Sequence, residues 1–96
     1  MQFVVIAHDY KDNKAIERRL AVREAHLKYA HEMFGLGKWL YASALLDNEG
    51  KMNGSIIFCD YENEDQLRKE WLNNEVYVTG KVWEKIEVRK AKVAKH

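Results

Sequence analysis

The sequence predicts an α+β fold in which a four-stranded antiparallel sheet carries two helices on one face, in the order β-α-β-β-α-β. Three observations predict it. Four short runs have the β-branched and aromatic content of strands: Phe3 to His8, Lys38 to Leu46, Ser55 to Asp60 and Val82 to Val88. Helical spacing fills the gaps between the first and second runs and between the third and fourth. Only the second and third runs are joined by tight-turn residues, so they form the hairpin while the outer connections are helical. Within 96 residues this order is the ferredoxin-like arrangement, read as one domain over 1–96.

Each element has a local cause. Phe3 to His8 is apolar at both alternating sets of positions, which describes a strand buried on two faces. His8-Asp9 leaves that strand, either as the rim of a site or as ordinary loop polarity, and Lys11-Asp12-Asn13 supplies Asx groups able to bond the first free donors of a helix from about Lys14 to Phe34. Gly35 and Gly37 end it. Strand two, with Trp39, Leu40 and Tyr41, is again apolar on both faces, and Asp47-Asn48-Glu49-Gly50 with Lys51-Met52-Asn53-Gly54 carries two turn signals. In strand three, Ser55, Ile57 and Cys59 share one face, and Ile56 and Phe58 share the other. Asn63-Glu64-Asp65-Gln66 has the form of a capping box, opening a helix that buries Leu67, Trp71 and Leu72 and ends near Asn73-Asn74. A loop over Glu75 to Gly80 precedes strand four, with Ile86 and Val88 inward and a basic, frayed tail from Arg89.

Composition excludes several classes. Sixteen basic and fifteen acidic residues leave a charge of +1, which does not suit a nucleic-acid partner, and no run of basic and aromatic residues of the RNA-recognition kind is present. No apolar run approaches the roughly 20 residues of a membrane span, and the single Cys59 behaves as a small buried hydrophobe in a reducing compartment, so a cytoplasmic protein is expected. Two helices cover one sheet face, yet strands one to three are apolar on both; the expected remedy is a homodimer packed sheet to sheet, of the dimeric α+β barrel type.

The first helix carries the clearest functional signal. At about 100° per residue, Ile16, Leu20, Leu27, Ala30 and Phe34 form one apolar stripe, Arg23 falls on it and His26 lies at its border. Charged groups where water is excluded need partners. The bland reading is a hydrogen-bonded core-edge histidine and a snorkelling arginine. His26 and His31 are about 140° apart around the helix, so they cannot share a metal, and neither a metal nor a cofactor is expected. Trp39, Tyr41 and Trp83 suit core or dimer contact, or the wall of an aromatic pocket.

Arg19-Leu20-Ala21-Val22-Arg23-Glu24-Ala25-His26-Leu27 in a first helix of this fold resembles the signature of the YciI-like, or YCII-related, proteins. The opening strand, Gly54-Ser55 and Tyr77-Val78-Thr79-Gly80 fall in the family's order, so the resemblance covers nearly the whole chain. It implies a small dimeric α+β protein with a site of histidine, aspartate and a nearby serine, and one relative acts as a dehydrochlorinase on a chlorinated aromatic diol. The histidine falls on His26 and the serine on Ser55. Where the family commonly has Asp-Pro-Tyr-Val, this chain has Glu75-Val76-Tyr77-Val78, which keeps a carboxylate, lengthened by a methylene, and loses the proline's hold on the preceding residue.

Two functions follow. The first is an enzyme acting on a small aromatic or carbonyl-containing molecule by proton transfer or elimination, with His26 as base, Glu75 orienting it, Ser55 bonding the substrate or the ring, and Arg23 holding an anionic group. The second is a non-catalytic dimeric module that binds a small ligand or a protein and has lost the chemistry with the Asp-Pro pair.

Overall fold

The computed structural model describes residues 1–95; His96, the end of the expected domain and tail, lies outside the described residues. The strands are β1 (Gln2–Asp9), β2 (Trp39–Leu46), β3 (Met52–Asp60) and β4 (Trp83–Lys90), with helices α1 (Ala15–Gly35), α2 (Glu64–Glu70) and α3 (Val76–Thr79). They form one antiparallel sheet in the order β2-β3-β1-β4, so the two central strands come from the two halves of the chain. This is the ferredoxin-like arrangement. Pairing of Val5 with Ile57 and of Ala7 with Ser55 sets one face of the sheet under the helices, where Phe3, Val5, Ala7, Ile57 and Cys59 are buried. Val4, Ile6, Ile56 and Phe58 occupy the opposite, half-exposed face.

Local chemistry explains the boundaries. Asp12 accepts from the Lys14 backbone N–H and receives both terminal nitrogens of Arg18, anchoring the start of α1. Gly37, at φ +73°, takes the left-handed conformation just past the end of α1, and the Lys38 N–H closes the cap on the Met33 carbonyl. The Asn63 side chain caps α2 by accepting from the Gln66 N–H.

Several expectations are corrected. The buried row of α1 is Ala15, Arg19, His26, Ala30 and Met33, whereas Leu20, Leu27 and Phe34 are 54%, 48% and 42% exposed. The packing face is therefore turned by one position from the apolar stripe, and the buried guanidinium is Arg19; Arg23 is exposed. The helix is only weakly amphipathic, and long-range partners for Arg19 and His26 decide its orientation. Only one of the two turn signals makes a turn: Asp47 and Gly50 close the hairpin, while Gly54 lies within β3 opposite His8 and Leu45. A Cβ there would sit 2.6 Å from the Ala7 carbonyl oxygen, so glycine is required by close backbone approach. Strand β2 is an edge that α1 only partly covers, so most of it is exposed. The second helix ends at Glu70, followed by a 3-10 turn at Leu72–Asn74, and the expected loop at Glu75 contains α3. Arg89 and Lys90 belong to β4, and Ala91 and Val93 donate to Gln2, so the chain stays ordered past Arg89. No helix among the described residues is long and apolar enough to cross a membrane.

Candidate active site

Four elements converge beside the β2 edge. From α1, Arg19 and His26 are seven residues apart, about two turns, and so face the same way. β3 contributes Ser55 and Ile57, β2 contributes Ala42 and Ala44, and α3 contributes Tyr77. Between them is a cavity of about 230 Å³ with Leu27, Phe34 and Arg23 around it. Leu27 and Phe34, two of the exposed apolar residues of α1, thus border a cleft.

Two buried polar clusters meet there. In the first, Glu75 at the start of α3 turns its carboxylate inward: Oε1 is hydrogen-bonded to His26 Nδ1, and Oε2 accepts from Trp71 Nε1 at 3.1 Å. His26 is 7% exposed and Glu75 3%. Such burial is tolerable only with partners on both sides of the carboxylate. The imidazole lies parallel to the Tyr77 ring at 3.9 Å, with Trp39 and Trp83 within about 6 Å, so the ring cannot rotate freely. With Nδ1 turned to Glu75, Nε2 is the nitrogen left for the cavity.

In the second cluster, Arg19 Nη1 reaches both carboxylate oxygens of Asp9 at 2.9 Å, and Nη2 donates to the Gly54 carbonyl at 3.0 Å and to Ser55 Oγ at 2.8 Å. Ser55 Oγ also accepts from Trp83 Nε1 at 3.3 Å. The Arg19 guanidinium lies 4.8 Å from the centre of the Tyr77 ring, so this one ring touches both clusters. Burial pushes the Asp9 carboxyl above its ordinary value, with the Arg19 charge and hydrogen bonds pulling the other way. Burial likewise raises the Tyr77 phenol, against Arg19 and Arg23, which keeps it neutral.

Of the residues expected from the sequence, the structure brings His26 and Ser55 to one cleft, sets Glu75 behind His26, hydrogen-bonded to its Nδ1, and leaves Arg23 exposed at the side of the cleft. Arg19 and Trp71 were missed as site residues, and Asp9 was raised only as the possible rim of a site. Asp9 has the alternation of Phe3, Val5 and Ala7, and Arg19 lies two turns before His26, so both periodicities pointed to the covered face. Trp39 and Trp83 are core, and Tyr41 is exposed. The Cys59 thiol is pushed up to about 12 by burial and donates to the Phe3 carbonyl, which excludes it as a nucleophile at neutral pH. No group of three His, Cys, Asp or Glu among the described residues is placed to hold a metal. A larger hollow of about 670 Å³, near the hairpin tip, is lined by exposed Lys11, Asp12, Asp47 and Lys51; Asp9, which borders it, spends its carboxylate on Arg19, so the buried chemistry lies in the smaller cavity.

The family is decided by sequence along almost the whole length: the YCII-related domain matches residues 1–92. The chain belongs to the YCII-related family. Among curated proteins, none matches it in sequence. The solved structure of 5-chloro-2-hydroxyhydroquinone dehydrochlorinase from Burkholderia phenoliruptrix, in complex with 2,5-dihydroxybenzoquinone, superposes with a TM-score of 0.82 at 18% identity, over 98% of this chain and 96% of that one. A protein of Agrobacterium tumefaciens matches at 0.54 and 17% identity, over 99% and 95% of the two chains. An antibiotic biosynthesis monooxygenase matches at 0.56 and 11%, over 99% and 100%. At these identities the likeness establishes that this YCII-related chain shares their fold.

Proposed function

We propose that this YCII-related protein is an enzyme that moves a proton on a small aromatic or carbonyl-containing molecule, or eliminates a leaving group from it, with His26 as general base. The observation that carries the reading is the buried contact of His26 Nδ1 with Glu75, which holds the ring in one orientation and leaves Nε2 for the cavity. Glu75, fixed by Trp71, orients the imidazole and stabilises the imidazolium that forms. Nε2 takes a proton from the ligand; in an elimination the freed electron pair expels the leaving group as an anion, and the imidazolium then returns its proton to water. Ser55 bonds the ligand, and Arg23 at the side of the cleft suits an anionic group. The similar fold of a dehydrochlorinase supports this chemistry. The half-exposed apolar face of Val4, Ile6, Ile56 and Phe58 supports a homodimer packed sheet to sheet, and the single unpaired cysteine supports a cytoplasmic protein.

Chloride release from 5-chloro-2-hydroxyhydroquinone tests the enzyme. The parent turns over, His26→Gln loses at least about 100-fold and Glu75→Gln about tenfold, as expected for loss of a base and of its orienting group. Turnover that survives His26→Gln overturns the assignment. Thermal protection by 2,5-dihydroxybenzoquinone without any turnover replaces it with the binding module. Sedimentation at micromolar concentration tests the dimer, and a compact monomer there refutes it.

A further inference from the structure

Tyr77 is the ring that both buried clusters share, yet neither cluster uses its hydroxyl. The residue is 2% exposed, its ring lies 9° from parallel to the His26 imidazole with centres 3.9 Å apart, and the Arg19 guanidinium sits 4.8 Å from its centre. A phenylalanine would supply all of those contacts. Among the described residues none hydrogen-bonds the Tyr77 hydroxyl, and the sealed-off unpartnered atoms are others: Arg19 Nε, Trp39 Nε1 and the Tyr61 hydroxyl. A polar group taken from water without a partner costs free energy, so this hydroxyl, on a ring that lines the cavity, is left for what fills the cavity. Burial raises the phenol above its ordinary value, Arg19 and Arg23 act against it, and Glu75 and Asp9 add to it, so the group keeps its proton at neutral pH. A protonated phenol donates, and the guanidinium beside it favours negative charge on the atom that accepts. Because Tyr77 and His26 lie face to face and line the same cavity, one small molecule can meet the edges of both rings.

We propose that the Tyr77 hydroxyl is a further catalytic group of this cleft: it holds, by a hydrogen bond, the ligand oxygen on which negative charge gathers as His26 takes the proton. The inference rests on the reading of His26 as the base. In that step the ligand's bond to hydrogen breaks, Nε2 forms the new bond to it, and the freed electron pair moves through the conjugated system onto the oxygen. Tyr77 donates to that oxygen without giving up its own proton. In an elimination the pair then returns from the oxygen and expels the leaving group as an anion. The Tyr77 ring positions His26, and the hydroxyl acts on the ligand.

Tyr77→Phe tests it, since that change keeps the ring and deletes one oxygen. The melting temperature and the ring-current shifts of the His26 protons, set by the ring 3.9 Å away, match the parent and show the stack intact. Chloride release from 5-chloro-2-hydroxyhydroquinone falls by about 10- to 100-fold in kcat with KM little changed, as for a donor whose partner is charged only in the transition state. A second arm needs no turnover: 4-nitrophenol, small enough for a cavity of about 230 Å³, is titrated by its absorbance with the protein in excess. The pH at which the bound probe ionises is about one pH unit higher in Tyr77→Phe than in the parent, a tenfold loss of preference for the phenolate. An unchanged ionisation, or failure of the probe to bind the parent, overturns the hydrogen bond, and parental kcat in Tyr77→Phe overturns the catalytic role. Turnover that survives His26→Gln, or a parent that releases no chloride, counts against the base and not against the hydrogen bond, which the nitrophenol arm decides alone.

Discussion

Replacing Arg19 by methionine tests the central correction that the structure makes to the sequence. The two side chains have similar length, so the change removes charge and hydrogen bonds with little change in packing. In the folded protein it strands the Asp9 carboxylate, which is 4% exposed, and withdraws a donor from the Gly54 carbonyl and from Ser55. Breaking a buried ion pair by removing one partner costs about 3–5 kcal/mol. A domain of this size holds roughly 5–14 kcal/mol in all, so the loss is a large share of its stability. At about 4–8 °C per kcal/mol, the melting temperature falls by at least about 12 °C. Arg23→Met, at an exposed site on the same helix, stays within about 0.5 kcal/mol of the parent. The pH dependence has a definite sign. Burial raises the Asp9 carboxyl in the folded state, so ionising it costs stability, and that cost grows as pH rises past the unfolded value. Arg19 holds the cost down in the parent; in Arg19→Met it is fully exerted, and the variant is more stable near pH 5 than near pH 7.5. Urea denaturation at both pH values reads the effect. An Arg19→Met protein as stable as Arg23→Met, or one indifferent to pH, refutes the buried pair.

Three further outcomes are expected. Cys59, with its thiol pushed up to about 12 by burial, reacts with a thiol reagent at pH 8 only on the timescale of unfolding, and fast labelling of the native protein contradicts its place in the core. Gly54→Ala puts a methyl 2.6 Å from the Ala7 carbonyl oxygen and destabilises by about 1–3 kcal/mol, because backbone and not a flexible side chain must move; an unchanged melting temperature rules out that approach. Asp12, held at about 2 chiefly by its hydrogen bond from Arg18, favours folding above the unfolded value near 3.8, and that contribution is lost as pH falls toward 2. Asp12→Asn therefore flattens this part of the acid limb, and an identical acid profile in parent and variant sinks the pairing.

Strand positions, the β2–β3 hairpin and the capped start of α2 were legible in the sequence because their causes are local. Alternation, turn residues and the Asn63 cap act within a few residues of one another. His26, Ser55 and Glu75 were legible through the family motif, which names residues wherever the chain folds them. Inner and outer sides of β1 and β3 were both apolar, so the sequence alone left open which face the helices cover.

Rotation of α1 about its axis was decided by tertiary structure. Leu20, Leu27 and Phe34 pointed to one side, but burying that side would leave Arg19 without Asp9, ten residues away, and without Ser55, 36 away, and His26 without Glu75, 49 away. Those partners arrive from β1, β3 and the start of α3 only when the sheet is assembled. Burying one more leucine gains about 1.5–3 kcal/mol, whereas an unpaired buried charge costs more, so the polar partners set the phase and the leucine and phenylalanine are left beside the cleft. Sequence by itself determined the four strands, the two longer helices and their order, since neighbours along the chain suffice for those; the short helix α3 was not among them. The site belongs to the assembled sheet, because each of its hydrogen-bonded pairs between α1 and the rest of the fold joins residues that meet only there.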